Sequence, residues 1–77
     1  MKPEDVVGKF VKIKWKDPDN DWPFFQVLEL SKGGKRMKLR GMPFPDGTGI
    51  HVGDEFWIKV SEVKNLSVVI LIGGKAP

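Results

Sequence analysis

Apolar and polar residues alternate along most of this chain with a period of two, the spacing of a strand that buries one face. The clearest case is GKFVKIKWK, Gly8 to Lys16, in which Val11, Ile13 and Trp15 alternate with Lys12, Lys14 and Lys16. A second strand is expected over PFFQVLEL, Pro23 to Leu30. Its alternation is blurred, because Phe24 and Phe25 are neighbours and Leu28 and Leu30 fall out of step with Val27. Such a strand should bend and share its apolar residues between two sheet faces. Ser31-Lys32-Gly33-Gly34 predicts a tight turn. KRMKLR, Lys35 to Arg40, then resumes the alternation, with Met37 and Leu39 inward and Arg36, Lys38 and Arg40 outward. Gly41 to Asp54, GMPFPDGTGIHVGD, is rich in glycine and proline and predicts a long loop or flared hairpin. EFWIKV, Glu55 to Val60, sets Phe56, Ile58 and Val60 against Trp57 and Lys59. Ser61 to Leu66 has the length of one helical turn, SVVILI (Ser67 to Ile72) predicts the fifth strand, and Gly73 to Pro77 a frayed tail.

Five short strands joined by close turns, with one helical turn before the last strand, predict an all-β fold closed into a small barrel. No internal repeat or composition shift divides the chain, so residues 1–77 are expected to form one domain, with its core over about 6–72. The inward positions Val11, Ile13, Val27, Met37, Leu39, Phe56, Ile58, Val63, Leu66 and Ile70 should make one contiguous core. The chain resembles the SH3-like barrels, and among them the Tudor-type variety, in three stretches: VGKFVKIKW, DWPFFQVLEL and FWIKVSEVKNL. The likeness is one of pattern and covers nearly the whole chain. It implies a five-stranded SH3-like barrel. Polyproline-binding SH3 domains carry tyrosines in their groove, and this chain has no tyrosine, so PxxP recognition is not expected. An OB-fold is the main structural rival, although it usually needs more residues and a helix between its third and fourth strands.

Seventy-seven residues bury only about 60% of the surface their unfolded chain exposes, so the core should be thin. Without cysteine, stability must come from packing or association. The first residues lack the apolar segment of a signal peptide, and the longest aliphatic run, Val68 to Ile72, is far too short to cross a bilayer. A soluble, cytoplasmic protein with no membrane partner is the expectation. Catalysis finds little support. His51 is the single histidine and lies in the glycine-rich loop, so neither a Cys-His pair nor a typical zinc site can be assembled in one chain. Gly33-Gly34-Lys35 and Gly73-Gly74-Lys75 lack the upstream glycine of a phosphate loop. The expectation is a non-enzymatic interaction module without catalytic residues, metal or cofactor.

The candidate binding chemistry divides by sign. In an up-and-down meander the first and third connections share one end, which would collect Trp15, Trp22, Phe24, Phe25, Phe44, Phe56 and Trp57 with Asp17, Asp19, Asp21, Asp46, Asp54 and Glu55. Aromatic faces attract cations and nearby carboxylates strengthen the attraction, so this end suits a cationic guest. The Tudor-type resemblance implies a methylated lysine or arginine held in an aromatic cage. By position, Trp22 and Phe44 would be walls and Asp19 or Asp21 the charge partner, with Trp57 close by. The same aromatics could equally plug the barrel end, with Asp-Pro-Asp-Asn as ordinary turn chemistry.

Thirteen Lys and Arg against ten Asp and Glu leave a net charge of +3, a mild bias toward anionic partners. Lys12, Lys14 and Lys16 on the first strand and Arg36, Lys38 and Arg40 on the third could follow a DNA or RNA backbone. Glu29 on the intervening strand and the placing of aromatics among acids weigh against that alternative. A further alternative is a small inhibitor or adaptor protein of the kind mobile elements encode. The doubly apolar last strand, with Val69 and Leu71 opposing Val68, Ile70 and Ile72, also predicts weak self-association.

Overall fold

The computed structural model describes residues 3–44, 46–49 and 51–69. Five antiparallel strands form one sheet: β1 (Phe10–Trp15), β2 (Phe24–Leu30), β3 (Arg36–Gly41), β4 (Glu55–Lys59) and β5 (Val63–Val68). Their order across the sheet is β4-β3-β2-β1-β5. A 3-10 helix at Pro3–Val6 precedes β1, and a 3-10 turn at Val60–Glu62 precedes β5. Among the described residues no helix is long and apolar enough to cross a membrane.

The alternation read from the sequence decides the two faces. Val11, Ile13 and Trp15 of β1 and Met37, Leu39 and Gly41 of β3 are buried, while Lys12, Lys14, Arg36 and Arg40 are exposed. Cross-strand pairing carries that parity across the sheet: Leu39 stands opposite Val27 and Phe56, and Ile13 opposite Leu66. The bend expected in β2 is a bulge between Val27 and Glu29, where an extra residue, Leu28, lets Leu30 return to the face of Met37.

The core holds the expected Val11, Ile13, Val27, Met37 and Leu39. Phe56, Ile58, Val63 and Leu66 are half-buried against it. Four further residues are buried: Val6, Trp15, Trp22 and Phe25. Val6 comes from the N-terminal 3-10 helix, which is tied to β2 by a hydrogen bond from the Gly8 N–H to the Val27 carbonyl (2.7 Å). The expected Ile70, the end of the expected fifth strand at Leu71 and Ile72, and the tail 73–77 lie outside the described residues.

Two expectations are corrected. The fifth strand begins at Val63, four residues earlier than the aliphatic run suggested, because the helical turn is only three residues long. The sheet is also not closed into a barrel: β4 and β5 are its two edges, and among the described residues no ladder joins them. It is nevertheless strongly curled. Laid flat, edges four strand spacings apart would be separated by about 19 Å. The chain from Lys59 to Val63 can span at most about 14 Å. The 3-10 turn therefore draws the two edges together at one corner without pairing them. On that open side Pro3, Met37, Val60, Val63 and Leu66 surround a hollow of about 190 Å³.

Candidate functional site

The β1–β2 connection is shaped by turn chemistry. Asp17 accepts the Asp19 N–H on Oδ1 at 2.9 Å and the Asn20 N–H on its carbonyl at 3.2 Å, a tight turn in which the short acidic side chain replaces a backbone acceptor. The chain then runs back along β1, where the Trp15 indole N–H donates to the Trp22 carbonyl at 2.9 Å. On the other side, the β3–β4 connection folds onto the end of β3. The Gly41 N–H donates to the Asp54 carbonyl and the Gly53 N–H to the Gly41 carbonyl, both at 2.9 Å.

Between these connections and the 3-10 turn lies a cleft of about 490 Å³. Trp15, Trp22, Phe25, Phe56 and Ile58 supply its apolar surface, and Asp17, Asp19, Asp21, Asp54 and Glu62 rim it, with no Lys or Arg in the lining among the described residues. His51 also faces the cleft, with Nδ1 at 3.6 Å from Asp54 Oδ2. Glu62 is a member that strand-end sorting misses. The signal for it is the β1–β5 pairing: Val63 opposes Trp15, and the Lys16 N–H donates to the Glu62 carbonyl at 3.0 Å, which brings the 3-10 turn beside Asp17.

The aromatic part of the cleft is mostly sunk. Trp15, Trp22 and Phe25 are 7%, 8% and 2% exposed, so of the Trp and Phe rings in the cleft Phe56 is the one not fully buried. Trp22, expected as a wall, does line the cleft but is nearly buried. Phe44 packs on it with ring centroids 4.5 Å apart, and His51 meets it edge-on at 5.4 Å. Gly49 lies so close that a Cβ there would overlap the ring at Cη2 and Cζ2. The Trp22 indole N–H is buried without a hydrogen-bond partner among the described residues.

Of the other residues expected at this end, Phe44 stands behind Trp22, also touching Phe24 edge-on at 5.9 Å, and does not line the cleft. Trp57 is on the outer face of β4, opposite Lys38 and 45% exposed. Sorting by loop ends put it with the acids, whereas strand parity turns it away from Phe56 and Ile58. Glu55 likewise faces outward and pairs with Lys38 at 3.5 Å.

Asp46 is engaged by its own turn, accepting from Thr48 Oγ1 at 2.6 Å and from the Thr48 N–H at 2.9 Å. The hydroxyl bond, with help from the backbone bond, holds its carboxyl below the ordinary aspartate value. A depressed folded-state value means that this turn is stabilised above the unfolded value and loses that support as pH falls through the folded one. The Thr48 amide resonance is therefore expected to titrate below the ordinary aspartate value. An NMR pH series showing it move at or above that value would contradict the bond.

The basic residues divide as well. Lys12 and Lys14 are exposed on β1, and Arg36, Lys38 and Arg40 point outward from β3. Lys16, past the end of β1, instead borders a depression with Asp17 and Glu62. Among the described residues no group of three or more His, Cys, Asp or Glu is arranged to hold a metal ion, so the carboxylates rim the cleft rather than converge. Compared with known proteins, the chain matches no family model, no curated protein and no solved structure, which leaves this geometry as the ground for a functional reading.

Proposed function

We propose that this chain is a non-enzymatic interaction module that takes a cationic segment of a partner protein into the acidic cleft. The observation that carries this is the lining: among the described residues, five carboxylates and no Lys or Arg around an apolar floor, in a chain whose net charge is +3. A lysine or arginine entering between these carboxylates gains their attraction while laying its methylenes on the floor. A Tudor-type cage would need several exposed ring faces. Here Phe56 is the half-exposed ring, so charge contributes more than aromatic enclosure. Unmodified lysine- or arginine-rich segments therefore fit better than methyl-lysine, and binding should weaken as salt screens the rim.

An NMR titration with a lysine-rich peptide and its trimethyl-lysine counterpart tests this. Shifts are expected at Asp17 to Trp22, Asp54 and Glu62, stronger with the unmodified peptide. Asp21→Asn combined with Glu62→Gln should lower the affinity about fivefold to tenfold, or roughly 1–1.4 kcal/mol. Both side chains are exposed, so the fold should survive. Peptides that leave these resonances still, or bind the double variant equally well, would sink the proposal.

A further inference from the structure

The outer face of the sheet carries a different chemistry. Its cross-strand rows are Phe10–Gln26–Arg40–Glu55, then Glu29–Lys38–Trp57, then Arg36–Lys59. Trp57 is thus an exposed indole in the middle row, with basic residues in the rows on both sides. A hollow lies by each of the other two rows, with Trp57 lining neither. One of about 280 Å³ is lined by Phe10, Gln26, Arg40, Met42 and Val52, and one of about 480 Å³ by Lys35, Arg36 and Lys59. From Arg36 to Arg40 the outward residues of β3 cover about 14 Å.

We infer that this face binds single-stranded nucleic acid, at a site independent of the acidic cleft. A single strand offers two things at once: phosphates for separated cations and unpaired bases for an exposed ring. The face matches both. Arg36, Lys38, Arg40 and Lys59 supply the charge, and Lys12 and Lys14 extend it across β1. Trp57 supplies a stacking ring. Three strands away across the sheet, or about 14 Å, Phe10 with the Gln26 amide and the Arg40 guanidinium makes a hollow with one ring and hydrogen-bonding groups for another base further along the strand. Glu55 and Glu29 lower the total charge, and Glu55 holds Lys38 in place at 3.5 Å. Aromatics set among acids would disfavour nucleic acid, but strand faces place Trp57 opposite Lys38 with Lys59 on its own strand, and the nearby Glu55 is paired with Lys38. Duplex DNA keeps its bases stacked inside and would meet only the charges, so it should bind more weakly.

The test uses a short fluorescein-labelled oligothymidylate and oligouridylate, followed by anisotropy, with a duplex of the same length as control. Both single strands are expected to bind. Neutralising three or four phosphates gives a slope of log K against log salt of about −2 to −3. Trp57→Ala should lower the affinity about tenfold through lost stacking, and Trp57→Phe should retain most of it. Trp57 is far more exposed than Trp15 or Trp22, so oligonucleotide should quench tryptophan fluorescence in the native chain and not in Trp57→Phe. Asp21→Asn with Glu62→Gln, which disables the cleft, should leave oligonucleotide binding intact. Equal affinity in Trp57→Ala with an unchanged melting temperature would overturn the inference. So would duplex binding as tight as single-strand binding, loss of binding in the cleft variant, or no anisotropy change at low salt.

Discussion

Trp22→Ala is expected to bring this domain to the edge of unfolding. The ring is 8% exposed, lies 4.5 Å from Phe44 and is covered by Gly49 and His51, so truncation opens a large cavity under the β3–β4 loop. Removing a buried tryptophan costs about 3–5 kcal/mol. A domain of this size has a total stability of about 4–12 kcal/mol, so the loss is a large part of the whole. At about 4–8 °C per kcal/mol, the melting temperature should fall by about 15–35 °C. Trp22→Phe is the informative comparison. It keeps an aromatic in contact with Phe44 and removes an indole N–H that is buried without a partner among the described residues, so it should be much milder. Thermal melts followed by circular dichroism would decide, and a fall below about 5 °C in Trp22→Ala would place the ring outside the core. The same burial makes Trp22→Ala unsuitable as a test of ligand binding, which is why the proposals above rest on exposed residues.

Gly41→Val should be nearly as damaging, for a steric reason. Gly41 ends β3, is buried and opposes Phe25, and a Cβ there would run into the His51 carbonyl group. That neighbour is backbone, which cannot rotate aside as a side chain can. Relief requires moving the 51–54 turn, and with it the two 2.9 Å bonds that Gly41 makes to Gly53 and Asp54. Overpacking of this kind costs about 1–3 kcal/mol, and each lost hydrogen bond adds about 1 kcal/mol. A melting temperature lower by about 15–35 °C follows. His51 and Asp54 belong to the cleft, so cationic peptide affinity should also fall in whatever fraction remains folded. Slow exchange of the Gly41 and Gly53 amides, which both bonds protect, should be lost. A variant that melts within a few degrees of the native chain and keeps that protection would show that the turn has room to move.

How far the cleft could be anticipated depended on the kind of residue. Asp17, Asp19 and Asp21 were legible as turn acids, and they do line the cleft. Glu62 was not, because nothing local says that a three-residue 3-10 turn will carry it across from β4 to the end of β1. Trp57 went the other way. Only Lys59 among its near sequence neighbours is basic, whereas its spatial neighbours include Lys38 and the rows of Arg36 and Arg40, which belong to a strand about twenty residues earlier.

By itself the sequence determined which face each strand residue takes. Alternation along β1, β3 and β4 is a local property of the pleat, so Val11, Ile13, Met37 and Leu39 were inward, and Lys12, Arg36 and Arg40 outward, before any partner strand was known. The broken alternation of PFFQVLEL likewise carried the bulge at Leu28. Only the tertiary structure decided what has no periodicity to read. Trp22 lies between strands, and it is buried because the β3–β4 loop folds back over it, with Gly41 and Gly49 leaving room for the approach. Val6 joins the core from a 3-10 helix outside the strands, and the sheet stays open because its edges meet only at the corner drawn in by Val60–Glu62. Each of these depends on contacts between residues far apart in the chain, whose free energy is set by packing and not by any repeat along it.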